Sequence, residues 1–401
     1  MTSIAKLPPV LLAAMAIVGV GAPSAQARWV ESWQAAPNPQ SASPAAAFAN
    51  VTLTQLVRIS HGGGKVRVRF TNRYGAKPLE IGSARIVRVD DAGRELPGTA
   101  RALTFAGRAS ARIPSGASFL SDAVDLAVPD LARLKIEFFL PEDTGTCTCH
   151  SLGLEPLSVS PPGNFVGKAF TPADTRQVRA FVEGVEIDSS RALGTIVAFG
   201  DSITDGYGSS SGKDARWPDA LARRLHAAGK PWALANAGIS GNRVLAPGMG
   251  DAALSRFDAD VLSLPGVKYL VLFEGVNDIG MSTGPDAKGP PVSVEAMKAG
   301  YLQLVARAHA HGIKVIASPI APYKGSGYWS EQGEAVRAAI NAWILSSGAF
   351  DAIVRFDTAL ADPADPQRIR ADLHSGDHLH GNDKGYEAMA RALDLSLFTA
   401  R

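Results

Sequence analysis

The stretch GTIVAFGDSITD, residues 194–205, decides how the second half of this 401-residue chain folds. Its apolar run from Thr195 to Phe199 has the length of a buried strand. Gly200, Asp201 and Ser202 follow at once, and residues of these types are ordinary turn formers. The sequence therefore predicts a strand that ends in a tight turn, with the Ser202 hydroxyl at the carboxyl end of that strand.

Around this stretch, apolar runs of strand length alternate with segments of helix length, several of them amphipathic. Strands are predicted at 195–199, 233–236, 269–273, 314–318 and 353–356, and helices at 217–228, 251–262, 294–310, 331–346 and 384–395. Such alternation is typical of a parallel sheet with helices on both faces. Ligands bind beyond the carboxyl ends of the strands in sheets of this kind, so that edge is the predicted site.

Residues 28–188 follow a different pattern, with short alternating segments and no convincing long helix. Apolar and basic residues alternate from Lys65 to Phe70, which places the apolar side chains on one face of a strand. Further strands are predicted at 86–89, 134–140 and 178–187. We expect a β-sandwich or jelly-roll domain at 28–188, a linker at 188–193 and an α/β domain at 189–401. Carbohydrate binding is the more specific alternative for the first domain.

The first residues resemble a cleavable secretory signal. Lys6 precedes an apolar run from Val10 to Val20, and the small-residue pattern Ala25-Gln26-Ala27 precedes Arg28. An uncleaved anchor is the alternative, but the run is shorter than the roughly 20 residues of a spanning helix. We therefore expect residues 1–27 to be removed and the protein to be secreted or periplasmic, without stable membrane insertion.

Composition narrows the range of partners. The chain is 46% hydrophobic and 19% charged, as a folded globular protein is. Its formal charge is +2 with both signs interspersed, which argues against a nucleic-acid partner. The two cysteines, Cys147 and Cys149, leave three possibilities open: a local disulfide, free thiols, or a metal site with His150 as third ligand.

Ser202 becomes a candidate nucleophile only if a base can take its proton. Asp377 and His380 lie three residues apart, so a helical turn of this loop would place the carboxylate beside the imidazole. The nearby His374, His378 and Asp372 are competing candidates, which we interpret as loop-stabilising groups.

Acyl transfer also needs hydrogen-bond donors for the developing oxyanion. Two segments qualify, because Ile239–Asn242 and Gly275–Asp278 each follow a predicted strand. Gly241 lets a backbone N–H approach a substrate closely, and Asn277 offers a side-chain amide. Read alone, each segment is more typical of an ordinary turn.

Ser202, Gly241, Asn277 and His380, in this order, resemble the four blocks of the SGNH (GDSL-type) hydrolases, and the resemblance extends over residues 194–398. It implies a flavodoxin-like three-layer domain and a serine esterase without metal or organic cofactor. Ser202 would be the nucleophile, His380 the base and then the acid, and Asp377 its orienting partner. The N–H groups of Ser202 and Gly241 and the Asn277 amide would form the oxyanion hole.

More narrowly, the chain resembles the two-domain secreted branch described as arylesterase-like or xylanase-cluster esterase-like. Members commonly have proline after the catalytic histidine, whereas this chain has Gly381, a change expected to loosen that loop. The resemblance implies short-acyl substrates, either acetyl groups on polysaccharides or small aryl esters. The loops predicted at Gly280–Pro291 and Tyr323–Trp329 are expected to shape the leaving-group side of the pocket, and the alternative is that they are only long surface loops.

Two other functions stay open at this point. A lysophospholipase or lipase acting on acyl lipids would need an apolar trough, and no extended apolar loop that would build one is visible in the sequence. A carbohydrate-binding protein with an inert hydrolase fold is the second alternative, which the four intact blocks disfavour.

Overall fold

The computed structural model describes residue 2 and residues 28–39, 47–287 and 290–399. The predicted secretory signal, residues 1–27, lies outside the described residues except for Thr2. Within these ranges, no helix combines the length and apolar character needed to cross a bilayer.

The first domain consists of antiparallel strands. They are β1 (Trp29–Gln34), β2 (Val51–Arg58), β3 (Gly63–Thr71), β4 (Leu79–Ile81), β5 (Ser83–Val89), β6 (Arg101–Leu103), β7 (Ala111–Ile113), β8 (Ser118–Leu120), β9 (Val124–Val128), β10 (Arg133–Leu140), β11 (Cys149–His150), β12 (Leu157–Val159), β13 (Asp174–Arg176), β14 (Arg179–Ala180) and β15 (Val182–Asp188). The predicted strand at 178–187 is thus two strands, because Phe181 between them has a positive φ of 56°.

Two sheets of this domain pack face to face. One has the order β13-β12-β2-β10-β5-β6, and the other has β1-β15-β3-β8 with β9 also paired to β3. On β3 the side chains of Val66, Val68 and Phe70 are fully buried. Phe70 meets Phe138 of β10 edge to face, with ring centroids 5.4 Å apart. The predicted β-sandwich is confirmed.

Cys147 and Cys149 form a disulfide, with their Cα atoms 5.3 Å apart. This settles the alternatives that the sequence left open for the pair. His150, considered as a third metal ligand, instead lies at the boundary between the two domains. The described ranges contain no group of three or more His, Cys, Asp or Glu side chains suited to hold a metal ion.

The second domain has a five-stranded parallel sheet. Its strands are β16 (Gly194–Gly200), β17 (Trp232–Gly238), β18 (Val267–Phe273), β19 (Lys314–Ala317) and β20 (Ala352–Ile353). Their spatial order is β17-β16-β18-β19-β20, which is the 2-1-3-4-5 order of flavodoxin-like folds. The predicted fold class is therefore confirmed.

The helices form two groups, in which α8 packs against α2 and α7, and α5 packs against α3 and α6. They are α1 (Ser202–Asp205), α2 (Trp217–Ala227), α3 (Ala253–Phe257), α4 (Val276–Thr283), α5 (Val294–Ala310), α6 (Glu331–Ser346), α7 (Phe356–Leu360) and α8 (Asp383–Ala392). One π-helical segment, Asp258–Leu262, continues α3, and a 3₁₀ turn spans Leu395–Leu397. The long helices α5 and α6 begin after the N-caps Ser293 and Ser330, whose side chains accept from Ala296 and Gly333 N–H.

At two places the predicted kind of element is wrong. The strand expected at 353–356 ends at Ile353, and Phe356 instead begins α7. Phe356 is fully buried against Trp217 and Phe273, so tertiary packing outweighs the local apolar pattern. The segment expected as a loop from Gly280 begins inside α4, which continues to Thr283.

The first domain lies against β17, an edge strand of the parallel sheet. Ser60 Oγ accepts the Leu234 N–H at 2.8 Å and lies 2.9 Å from the Leu234 carbonyl oxygen. Arg73 Nη1 forms an ion pair of 2.7 Å with Asp260 of the second domain. The hydroxyl of Ser60 thus stands where the backbone of a neighbouring strand would be.

Candidate active site

The ends of three parallel strands form the floor of the site. Gly200 of β16 is in register with Gly238 of β17 and with Phe273 of β18. A Cβ at Gly200 would lie 2.1 Å from the Phe273 carbonyl oxygen, so only glycine fits there. Asp201 then caps α1 by accepting the Ile203 N–H at 2.9 Å. This turn fixes Ser202 at the carboxyl end of β16, where α1 contacts β16 and β17.

Ser202, His380 and Asp377 form a continuous hydrogen-bonded chain. Ser202 Oγ lies 2.7 Å from His380 Nε2. His380 Nδ1 lies 2.6 Å from Asp377 Oδ2. Ser202 and His380 are 178 residues apart in the chain, so the fold brings the hydroxyl and the imidazole together. A hydroxyl, an imidazole and a carboxylate in this order can pass a proton away from the hydroxyl.

The electrostatics of Asp377 suit an orienting carboxylate. Partial burial acts to raise its pKa, but the hydrogen bonds from the His380 ring and from the N–H groups of His380 and Leu379 outweigh burial. The pKa of the Asp377 carboxyl therefore lies well below its usual range. The group remains an anion and can stabilise a proton on His380.

The competing candidates, His374, His378 and Asp372, make contacts within the loop that carries His380. His374 Nδ1 accepts the Gly376 N–H at 2.9 Å, and its ring lies 4.3 Å from that of His378. Asp372 pairs with Arg370 at 3.0 Å. None of these three side chains is hydrogen-bonded to Ser202, which agrees with their interpretation as loop-stabilising groups.

The loop that carries His380 is tied on both sides of Gly381. Ser375 N–H donates to the His380 carbonyl at 2.8 Å, and Asn382 N–H donates to Leu373 at 3.0 Å. A Cβ at Gly381 would lie 3.1 Å from the Tyr386 ring, so the glycine lets this ring pack against the loop. These contacts hold the loop on both sides of Gly381, and the loosening expected from the missing proline stays a prediction.

The proposed oxyanion donors come from three separate elements. Ser202 is the first residue of α1, so its N–H has no partner within the helix. Gly241 has a positive φ of 74°, which favours glycine. Asn277 Nδ2 donates to the Asn242 carbonyl at 2.8 Å, which places the amide beside the Gly241 turn and leaves its second N–H free to donate. In the described part of the chain, the Ser202 and Gly241 N–H groups donate to no other residue.

Residues 198–388 match the GDSL-like lipase/acylhydrolase family. The match lies entirely within the second domain, which we call the GDSL domain. The GDSL domain is thus a hydrolase of the acylhydrolase and esterase class. The roles of Ser202, Asp377, His380, Gly241 and Asn277 remain predictions, although the geometry brings these residues together.

Several solved structures resemble the GDSL domain. An acetyl xylan esterase is 23% identical, with a TM-score of 0.39 over 49% of this chain and 96% of its own. A psychrotrophic esterase from Pseudoalteromonas is 21% identical, with a TM-score of 0.38 over 50% and 93%. A lipase/acylhydrolase from Enterococcus faecalis is 22% identical, with a TM-score of 0.39 over 50% and 92%. No curated protein matches the chain.

A fully buried arginine lies beneath the GDSL site. Arg256 donates to the carbonyl oxygens of Gly200 at 2.9 Å and Ala237 at 2.7 Å, and to Asn242 Oδ1 at 2.8 Å. It also pairs with Asp260 at 3.1 Å. Arg256 thereby ties the turn before Ser202 to the turn that contains Gly241. Sequence reasoning missed it, because an arginine in a predicted amphipathic helix is typical of a solvated face.

Three buried carboxyl groups, those of Asp201, Glu274 and Asp278, interact electrostatically with one another, and the charge of Arg256 acts on the first two. Burial raises the pKa of Asp201 to about 7 and that of Asp278 to about 6. The pKa of Glu274 is raised well above its usual range, first by burial and then by the charge of Asp201. Glu274 lies 3.8 Å from Arg256, but neither of its carboxyl oxygens has a hydrogen-bond partner. Burial therefore disfavours the charged form of Glu274.

A cavity of about 320 Å³ lies between the two segments expected to shape the pocket. Its lining comprises Gly280, Met281, Gly284, Asp286, Gly327 and Tyr328. The Tyr328 ring packs on Gly280, where a Cβ would lie 2.3 Å from it. A Cβ at Gly325 would lie 3.3 Å from the His378 ring, so the second segment contacts the loop that carries His380. Both segments therefore contribute to one cavity.

Proposed function

We propose that this protein hydrolyses short-acyl carboxylic esters through an acyl-enzyme on Ser202. The observation that supports it best is the hydrogen-bonded chain from Ser202 Oγ through His380 to Asp377. A serine hydroxyl in such a chain is activated as a nucleophile, since the imidazole accepts its proton during attack.

The reaction follows from this arrangement. Ser202 Oγ bonds to the ester carbonyl carbon while its proton moves to His380 Nε2. The negative charge that develops on the carbonyl oxygen is stabilised by the N–H groups of Ser202 and Gly241 and by the Asn277 amide. Collapse of this intermediate breaks the bond to the alcohol, which leaves with the proton from His380. Water then attacks acyl-Ser202 by the same route and releases the acid.

The glycine-lined cavity supports a short acyl or small leaving group. Tyr328 packs on Gly280 at one side of the cavity, and the position that a Cβ would take at Gly327 is open. A long acyl chain needs an extended apolar surface, and this cavity contains Asp286. We therefore favour acetyl or small aryl esters, including acetyl groups on polysaccharides, over acyl lipids.

Hydrolysis of nitrophenyl acetate by the purified protein tests the proposal. We expect Ser202→Ala to abolish turnover. Ser211→Ala is the control and should leave turnover unchanged, because Ser211 is exposed and its hydroxyl donates only to the Leu154 carbonyl. A fluorophosphonate probe should label Ser202, and mass spectrometry locates the adduct. Absence of hydrolysis together with polysaccharide binding that Ser202→Ala leaves intact would favour the carbohydrate-binding alternative.

Acyl length separates the esterase from the lipase alternative. The proposal predicts a higher kcat/KM for nitrophenyl acetate than for nitrophenyl palmitate, measured with detergent controls. Preference for palmitate would overturn the short-acyl assignment. A panel of acetylated oligosaccharides then defines the alcohol side of the substrate.

Export is part of the same proposal. The N-terminal pattern at residues 1–27 supports a cleaved signal and a secreted or periplasmic protein. N-terminal sequencing of the protein recovered outside the cytoplasm tests this, with Arg28 expected as the first residue. A mature protein that still begins at Met1 would contradict it.

A further inference from the structure

His150 of the β-sandwich contacts the GDSL domain directly. Its Nε2 lies 2.9 Å from Asp205 Oδ1, and its Nδ1 lies 2.8 Å from the Ala36 carbonyl oxygen. Both side chains are buried, with 6% of His150 and 2% of Asp205 exposed. The ring therefore links the Ala36 backbone of the β-sandwich to the Asp205 side chain of the GDSL domain.

The other oxygen of Asp205 holds the residue next to an oxyanion donor. Asp205 Oδ2 accepts the Ser240 N–H at 2.9 Å and the Ser240 hydroxyl at 2.8 Å. Ser240 directly precedes Gly241. Asp205 also ends α1, the helix that begins with Ser202. One carboxylate therefore connects the helix of the nucleophile, the turn of Gly241 and the imidazole of the other domain.

The packing leaves little room for this turn to shift independently. A Cβ at Gly238 would lie 2.2 Å from Asp205 N, so the end of β17 fits closely against α1. Without His150, one oxygen of the buried Asp205 would lose its hydrogen-bond partner. A buried carboxylate in that state is costly, and reorientation of the side chain would release Ser240.

A second contact from the β-sandwich stabilises the other side of the turn that contains Gly241. Asn38 Nδ2 donates to the Met249 carbonyl at 2.7 Å. The Met249 side chain covers Gly241, where a Cβ would lie 2.5 Å from its Sδ. Asn38 in turn receives the Ser151 N–H at 3.1 Å, and its own N–H donates to Cys149 at 2.9 Å. The segment around the disulfide thus braces the turn of Gly241 from two directions.

We infer that His150 is a positioning residue for the oxyanion hole, acting through Asp205 and Ser240 on Gly241. The β-sandwich is then a structural part of the catalytic unit. This inference rests on the proposed esterase function, because it assigns His150 a role only in stabilising the oxyanion of that reaction.

Two substitutions of His150 separate positioning from general packing. The shorter amide of His150→Asn can reach Ala36 but not Asp205, whereas His150→Gln can donate to Asp205. We expect His150→Asn to lower kcat on nitrophenyl acetate by about 10- to 100-fold with little change in KM, as for a donor displaced by a fraction of an ångström. His150→Gln should recover most of that loss.

His61→Asn is the matched control, since His61 is also buried and contacts Ser189 in the linker at 3.0 Å. It should change thermal stability without lowering kcat. Ser240→Ala supplies a test that does not depend on His150 variants folding. We expect it to lower kcat, and its effect should be less than additive with that of His150→Asn.

The outcomes distinguish this inference from the proposed function. If the wild type hydrolyses no ester, or Ser202→Ala retains activity, the proposed function fails. If the wild type is active but His150→Asn and Ser240→Ala keep the wild-type kcat, the positioning role alone is wrong. Equal losses for His150→Asn and His150→Gln would also overturn it, because rescue through the Asp205 contact is then absent.

Discussion

The Asp377 carboxylate is hydrogen-bonded both to the side chain and to the backbone N–H of His380. Oδ2 lies 2.6 Å from Nδ1 of the ring, and Oδ1 accepts the His380 N–H at 2.9 Å. Oδ1 also accepts the Leu379 N–H at 3.0 Å. The spacing of three residues allows both contacts within one turn, so the ring orientation is set locally, and Ser202 supplies the long-range contact.

Asp377→Asn should lower kcat for ester hydrolysis by about 10³- to 10⁴-fold, because an amide N–H facing Nδ1 favours the wrong tautomer. The exposed Asp372→Asn, five residues earlier on the same loop, is the control and should be nearly neutral. Steady-state kinetics and circular dichroism on both variants check this. A value for Asp377→Asn within tenfold of wild type would contradict the triad.

Asp201→Asn should flatten the pH dependence of stability. Burial raises the pKa of Asp201 from its ordinary value of 3.8 to about 7, so its neutral form stabilises the fold below pH 3.8. That contribution is lost as pH rises toward 7. Asparagine is neutral throughout and can still cap α1. Unfolding temperatures from pH 4 to 8 should fall less steeply for the variant, and parallel curves would count against this.

Arg256→Met should cost about 3–5 kcal/mol of unfolding free energy. The substitution leaves the buried Gly200 and Ala237 carbonyl groups without their donor and removes one of the two arginine partners of Asp260. Arg391→Met is the control, since its pair with Glu387 leaves the arginine side chain 73% exposed. Such a surface pair contributes about 0–1 kcal/mol. Urea unfolding measures both. Equal costs for the two variants would show that the buried arginine is not structurally important.

The cavity beside Gly280, whose segments the sequence placed on the leaving-group side, is here proposed to hold the acyl group. Tyr328→Ala should then widen it and shift acyl preference toward longer chains. The ratio of kcat/KM for nitrophenyl butyrate to that for nitrophenyl acetate is expected to rise several-fold. Tyr74→Phe, which removes only a hydrogen bond to Asp251 in the domain interface, is the control and should leave the ratio unchanged. An unaltered ratio for Tyr328→Ala would place the acyl group elsewhere.

Local patterns predicted much of this fold. The bounds of α5 and α6 agree with the periodicity because each is a long amphipathic segment with a serine cap. The order of the sheet strands followed from the family resemblance and not from local pattern. Phe356 was assigned to a strand, since a short apolar run does not by itself distinguish a strand from the start of a buried helix.

The site was predictable to the extent that its chemistry is local in sequence. Asp377 and His380 share one loop, and Ser202 follows a strand directly. Arg256 and Glu274 could not be identified, because their burial depends on how distant elements pack. His150 was considered only with the neighbouring cysteines, and its contact with Asp205, 55 residues away, has no local signature.

The contact between the Ser60 hydroxyl and the Leu234 backbone affects whether the second domain can be produced alone. An uncovered strand at the border of a sheet offers its main-chain groups to other molecules, and proteins protect such borders. A fragment beginning at residue 189 would lose the cover that Ser60 and its neighbours provide over β17. Such a fragment is expected to self-associate through that border, so the isolated hydrolase half is a poor substitute for the whole chain.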